Sequence, residues 1–315
     1  MIPTFNCDET LVETLESVLS QDPGPQELHI EVVDDHSTRT DPEQIVRAVA
    51  GDRVGFHRQP SNVGHSANFN TCLERSRGHV VHLLHDDDHV RAGFYSKLGA
   101  AFESDPSIGM AFTRHIYADA DGHWRSISPL ERRDAGTLEG WARKIAAGQR
   151  LTTPSVAVRR SVYEALGGFD ARLRVGGEDW EMWVRIATRH PVWFEPEPLA
   201  VYRTNRPGSL TGDAQRSARL GEDMFESTAV VESYLFDHLP AEEAQAASRR
   251  ARATYARWVL ESAGKLLAAG ERQAALTAAR LALREGPTAS VARDGLRLAA
   301  RGALGALRGR TSRRR

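Results

Sequence analysis

Apolar positions recur at helical spacing from the start of the chain: Leu11, Leu15, Val18 and Leu19 in LVETLESVLSQD share one face of a helix. ELHIEVVDDHS then reads as a short β-rich run that ends in acid and a polar turn. The alternation continues with DPEQIVRAVAG as a helix, RVGFHRQ as a strand, GHSANFNTCLERSRG as a helix and HVVHLLHDDD as a strand that stops at Asp86, Asp87 and Asp88. This order predicts βαβ units around a mostly parallel sheet, an α/β fold. In open sheets of this kind, ligands bind beyond the carboxyl ends of the strands. Asp34 and Asp35 close one strand and the three aspartates close another, so two acidic clusters are expected at one crevice. Adjacent carboxylates repel, and they are tolerated either as a solvated turn or beside a cation.

Farther along, the segment between Arg114 and Arg150 is irregular, and PSVAVRRSVYEALGGFD leads into GGEDWEMWVRIA, a glycine pair followed by a helix. After about residue 212 the composition shifts to Ala, Arg, Glu and Leu at helical spacing. The expected organisation is a domain over 1–212, a helical appendage over 213–290 and a basic tail over 291–315. AAGERQAALTAARLALREGP has the small and large alternation of a tetratricopeptide-like helix pair, in one copy only. The tail holds eight arginines and one acid, and places Leu296, Ala300, Ala303 and Leu307 near one face. Such a helix suits peripheral contact with an anionic membrane, and equally a solvated end.

Charge and cysteine content narrow the setting. Over 315 residues the formal net charge is -1, which gives no global attraction to nucleic acid. Cys7 and Cys72 have neither CxxC nor zinc spacing, so a reducing, cytoplasmic setting is expected. No apolar run reaches the roughly 18 residues of a membrane span, and the N-terminal stretch lacks the pattern of a signal peptide. Only Met1 and Ile2 precede Pro3 where a strand needs about five residues, so translation is expected to begin upstream.

IPTFN, VVDDHS, HDDDHV and GGFDARLRVGGEDWEMWVRIA, in that order, resemble the landmarks of family 2 glycosyltransferases with a GT-A fold, over roughly residues 1–210. That resemblance implies a nucleotide-sugar donor of UDP, dTDP or GDP type and a divalent cation, Mn²⁺ or Mg²⁺. Asp86, Asp87 and Asp88 then correspond to the DxD element, with Asp88 as the direct metal ligand, Asp86 assisting, and Asp86 and Asp87 near the ribose, phosphate or bound water. His85 stands where relatives often carry an acid, a change that weakens a ribose contact or adds a nitrogen ligand. His82 and His85 alternate along a strand and miss the common histidine metal spacings, so His82 is expected to be packed within the sheet. Asp34 and Asp35 correspond to the base-recognition site, and a carboxylate there accepts from a base with an imino proton. Pro3, Thr4 and Phe5 line the same pocket, while Asn62, Gly64 and Asn68 border the nucleotide; Gly64 is equally readable as a turn glycine.

By the same resemblance, Asp179 is the base that deprotonates the acceptor hydroxyl, Glu178 supports it, and Trp180 either stacks on an acceptor sugar or belongs to the core. On local physics alone, Glu178 and Asp179 also serve to complement a helix N-terminus. Two departures stand out. No QxxRW element follows the ED segment, which argues for single-residue transfer, and VYRTN carries Asn205 where relatives have a histidine that completes the metal site. The expected activity is inverting, metal-assisted transfer of one sugar to a hydroxyl of a glycan or lipid-linked acceptor, in cell-envelope or exopolysaccharide synthesis. A sugar nucleotidyltransferase and a silent nucleotide-sugar binding protein are the alternatives; the first lacks its glycine-rich basic loop near IPTFNCDET, and Asp179 opposes the second.

Overall fold

In the computed structural model, residues 1–7, 9–24, 26–204 and 219–299 are described. The chain divides into two compact units, one made of Met1–Ile145, Gln149–Arg174 and Glu178–Arg206, the other containing the helices from Arg219 onward. Asn205, the sequence-predicted substitute for a metal-ligand histidine, and the tail beyond residue 299 lie outside the described residues.

The first unit opens with strands β1 (Ile2–Thr4), β2 (Glu31–Asp34) and β3 (Gly55–Arg58), all parallel and hydrogen-bonded in that order. Helices α1 (Thr10–Leu19), α2 (Pro42–Ala50) and α3 (His65–Arg75) alternate with them as the apolar spacing requires. Leu11, Leu15 and Val18 of α1 are buried, with Val32 of β2 and Val46 of α2 in the same core. The chain continues through β4 (Val80–His82), β5 (His89–Val90), α4 (Phe94–Ser104), β6 (Met110–Ala118), β7 (Trp124–Ile127), β8 (Gly136–Thr137) and α5 (Trp141–Ala146). A single 3₁₀ turn, Thr153–Ser155, precedes β9 (Val156–Arg159), α6 (Arg160–Leu166), α7 (Glu178–Ala187) and β10 (Val192–Arg203).

The second sheet runs β4–β9–β6–β10–β5 and is mixed: β6 and β10 are parallel, whereas β4 with β9, β6 with β9, and β10 with β5 are antiparallel. Met1 links the two sheets, its N–H donating to His82 O at 2.9 Å and its carbonyl accepting from Leu84 N at 3.1 Å. The expected parallel character is complete in β1–β3 and returns in the long β6–β10 pair.

The segment read as irregular contains a β6–β7 hairpin. Its turn is hidden in the sequence because Asp119 caps it, accepting backbone N–H groups of Asp121 and His123, while Gly122 takes φ +82°. His82 is packed within the fold, as expected: Nδ1 lies 3.2 Å from Tyr95 Oη, Nε2 lies 3.0 Å from the Pro154 carbonyl, and burial lowers its pKa to about 3.

The second unit contains α8 (Arg219–Leu235), α9 (Ala241–Ala268) and α10 (Arg272–Glu285), followed by helical residues 289–299. Small residues form much of its interior, with Ala244, Ala247, Ala251 and Ala256 of α9 and Ala275, Ala278 and Ala282 of α10 buried. A side chain at Gly286 would meet the Ala256 Cβ and the Arg252 carbonyl at 2.6 Å, so the backbones approach closely there. Arg252 joins three helices by bonding Glu232 at 2.6 Å and Glu285 at 3.0 Å. Among the described residues, no helix is long and apolar enough to cross a membrane.

Candidate active site

Asp34 and Asp35 end β2, and both are engaged by the protein itself. Asp34 is fully buried; its Oδ1 accepts from Ser37 N at 3.0 Å and its Oδ2 from Arg58 Nε at 2.7 Å. Asp35 Oδ1 and Oδ2 accept the backbone N–H groups of Val63 and Gly64 at 2.7 and 2.9 Å, and Asn62 Nδ2 donates to the Asp35 carbonyl at 3.1 Å. Burial raises the Asp35 pKa, and the two backbone donors oppose that rise. Gly64 has φ +87° with open space around its missing side chain, so it turns the chain into α3 while presenting its N–H to Asp35. Asn68 is buried, donates to Val33 O at 3.0 Å and accepts from Gln59 Nε2 at 3.3 Å; both ends of its amide tie α3 to the sheet.

The turn after β4 is built differently. Asp88 N donates to His85 O at 3.2 Å, which sets the side chains of His85 and Asp88 beside one another. His85, Asp87 and Asp88 each offer a donor atom within 4.8 Å of the others'. Asp86 points elsewhere, accepting from the Thr4 hydroxyl and, at 3.4 Å, from Phe5 N. Of the pair read from the sequence, Asp88 with Asp86, the Asp86 carboxylate faces β1, and the carboxylate that lies beside Asp88 and His85 is that of Asp87. Pro3 and Thr4 are buried in β1, and Phe5 beyond it is half exposed.

Asp88 is 1% exposed, and its Oδ1 accepts from Arg203 N at 2.8 Å. Its Oδ2 is buried without a hydrogen-bond partner, His85 Nδ1 standing 3.5 Å away. Burial raises the Asp88 pKa to about 6 despite the neighbouring imidazole. For His85, burial acts downward, but its direct pairing with Asp88, followed by the charges of Asp88, Asp87 and Asp86, wins and raises it to about 9. The ring is held by stacking on Phe69, with centroids 5.4 Å apart. Two carboxylates and an imidazole form a donor set suited to a divalent cation, and Asp88 Oδ2, whose neighbour is the His85 ring at 3.5 Å, is the oxygen such an ion would engage.

The third element is α7. Asp179 in its first turn accepts Trp180 N at 2.6 Å and Gln149 Nε2 at 2.8 Å, with Thr153 Oγ1 at 3.5 Å. Burial, then the charge of Glu178, push the Asp179 pKa up to about 7. Glu178 is buried and lies 3.0 Å from His65 Nε2, which holds its pKa low although burial acts to raise it. Its Oε2 has no partner. Trp180 is 0% exposed and donates its indole N–H to Ile145 O at 2.8 Å, so it belongs to the core and offers no face to an acceptor sugar.

His65, Gln149 and Thr153 were not found from the sequence. The last two touch Asp179 from about 30 residues away, and no local pattern reports such a contact. His65 left a faint signal, since it lies one helical turn before the buried Phe69 and directly after Gly64.

The sequence profile described as Glycosyl transferase family 2 matches residues 1–167. An uncharacterized protein of Mycobacterium tuberculosis (MT1568) is 30% identical over 223 residues, covering 64% of this chain and 65% of that protein. The match therefore spans just under two thirds of that relative's length. Among solved structures, Staphylococcus aureus TarS 1–349 in complex with UDP-GlcNAc superposes with TM-score 0.65 at 17% identity, covering 84% of this chain and 79% of the other. The mannosyltransferase PcManGT of Pyrobaculum calidifontis, in complex with GDP-Man and Mn²⁺, gives TM-score 0.58 at 20% identity, covering 96% and 85%.

Proposed function

Because the chain belongs to glycosyl transferase family 2, we propose that it transfers a single sugar, with inversion, from a nucleotide diphosphate sugar to a hydroxyl of a glycan or lipid-linked acceptor. The observation that carries this reading is a set of buried polar atoms without hydrogen-bond partners on two separate segments, His85 Nε2 and Asp88 Oδ2 after β4 and Glu178 Oε2 on α7, close enough together for the charge of His85 to act on Glu178. A folded chain seldom leaves such groups without partners, and a ligand rich in phosphate and hydroxyl groups supplies them. Similarity to proteins solved with UDP-GlcNAc and with GDP-Man supports a donor of the same class.

Asp35 is the member of the first cluster suited to the base, because each carboxylate oxygen has a second lone pair free for an imino N–H. Asp34, sealed against Arg58 and Ser37, fixes the end of β2. Thr4, Phe5 and Asp86 would border the ribose, with Asn62 and Gly64 on the loop that Asp35 holds. Asp87, Asp88 and His85 would hold Mn²⁺ or Mg²⁺. When bound, such an ion stabilises the negative charge of the departing diphosphate.

Asp179 accepts the proton of the acceptor hydroxyl. The oxygen so freed forms a bond to the anomeric carbon as the bond from that carbon to the diphosphate oxygen breaks, and the nucleotide diphosphate leaves with the electron pair. A pKa near 7 matches a base that must be ionised before the reaction and protonated after it. Gln149 orients this carboxylate through its 2.8 Å bond.

A role in cell-envelope or exopolysaccharide synthesis belongs to the same reading. So does contact of the basic tail with an anionic membrane, supported by its eight arginines. The direct test is incubation with UDP-, dTDP- and GDP-sugars and Mn²⁺, following free nucleotide diphosphate and the anomeric configuration of the released sugar by NMR. Release of one nucleotide diphosphate with inverted configuration is expected. Formation of pyrophosphate, or binding without any release, contradicts the proposal.

A further inference from the structure

His65 takes no part in the transfer as described, yet its contacts link both ends of the site. It heads α3, and its Nε2 lies 3.0 Å from Glu178 Oε1 in a pair whose side chains are 16% and 9% exposed. Phe69 holds the ring edge-on, with centroids 5.4 Å apart. The two residues before it, Val63 and Gly64, give their N–H groups to Asp35. Three consecutive residues thus run from the carboxylate that ends β2 to the carboxylates that head α7.

Glu178 and Asp179 are adjacent, and something must decide which of them meets the acceptor. Two carboxylates placed together divide their roles only when their surroundings differ. Here they do: Glu178 faces an imidazole and Asp179 faces the amide of Gln149.

We propose that His65 is a positioning residue for the transfer, an inference that rests on the transferase reading above: by pinning Glu178 it leaves Asp179 as the carboxylate that meets the acceptor hydroxyl, and through the Val63–Gly64 loop it ties that choice to the nucleotide end of the site. Glutamine retains an N–H donor and the reach to Glu178. Leucine retains the bulk and loses the donor, which leaves a buried carboxylate unpaired.

The test uses the full chain, Mn²⁺ and a panel of UDP-, dTDP- and GDP-sugars, with water as the acceptor and nucleotide diphosphate release as the signal. His65→Leu should lower kcat about tenfold or more, on the scale of lost orienting partners elsewhere, while the donor KM stays within about twofold. His65→Gln should recover most of the rate. If His65→Leu loses its thermal transition, His65→Asn replaces it, being too short to reach Glu178. Wild-type kcat in the leucine or asparagine variant, equal losses in that variant and in glutamine, or an effect on KM alone would overturn this inference and leave the transferase reading intact. No release by the wild-type chain from any donor would overturn both.

Discussion

Asp34 and Asp35 close β2 with their carboxylate oxygens answered from within the protein, by Ser37 and Arg58 for the first and by the Val63 and Gly64 amides for the second. The aspartates after β4 are equally dense in the sequence and yet leave Asp88 Oδ2 buried without a hydrogen bond, with His85 3.5 Å away and Asp87 beside it. The difference comes from what each strand end faces. β2 runs into a loop whose backbone donors fold back onto it, whereas the turn after β4 directs Asp86 toward β1 and turns Asp87 and Asp88 toward His85. Carboxylates with internal partners are fixed in place by the fold, whereas on the proposed reading the Asp88 oxygen is left for a ligand.

Mutations separate these roles, beginning with the largest effect. Asp179→Asn should lower kcat by about 10²–10⁴ with nucleotide affinity unchanged, as read by nucleotide release and calorimetry. Next, Asp87→Ala should abolish the Mn²⁺-dependent part of nucleotide binding, while Asp34→Asn should leave that dependence intact; equal metal sensitivity in both variants would erase the distinction between the clusters.

The pH profile follows from Asp179. Its pKa is raised to about 7, so the base is protonated below that value and kcat/KM should fall tenfold per pH unit on the acid side. The same shift bears on stability. Folding disfavours ionisation of this group, so its contribution is fully present below the ordinary carboxylate range and is lost as pH rises through about 7. Asp179→Asn should therefore raise Tm relative to the wild type at pH 8 and have little effect at pH 4, a gain opposite in sign to its effect on catalysis. Smaller still, Arg58→Ala removes a partly exposed partner from the fully buried Asp34 and should cost about 1–3 kcal/mol in chemical denaturation. Gly64→Ala, at φ +87° but with open space, should cost about 1 kcal/mol.

The sequence disclosed most where periodicity was local. The helices α1, α2, α3 and α7 and strands β2 and β3 lie where apolar spacing predicts them, and His82 is the packed histidine that strand alternation implies. The β6–β7 hairpin escaped because its turn is made by Asp119 capping backbone amides, a device that reads as disordered polarity. Within HDDDHV the residue types suggest a cation site, but that Asp86 faces Thr4 on β1 and Asp87 lies beside Asp88 is not written in the local sequence. Trp180 offered two equal readings, and only its complete burial and its bond to Ile145 decide between them. His65 and Gln149 make their contacts across the chain, which no spacing rule exposes.

The most direct test of the cluster after β4 is a thermal-shift series with UDP, dTDP and GDP, each in Mn²⁺ or EDTA, on the wild type, Asp87→Ala and Asp179→Asn. The expected result is stabilisation by one nucleotide that needs Mn²⁺, vanishes in Asp87→Ala and persists in Asp179→Asn. Stabilisation that ignores Mn²⁺, or that survives unchanged in Asp87→Ala, would contradict the assignment of His85, Asp87 and Asp88 as the cation site.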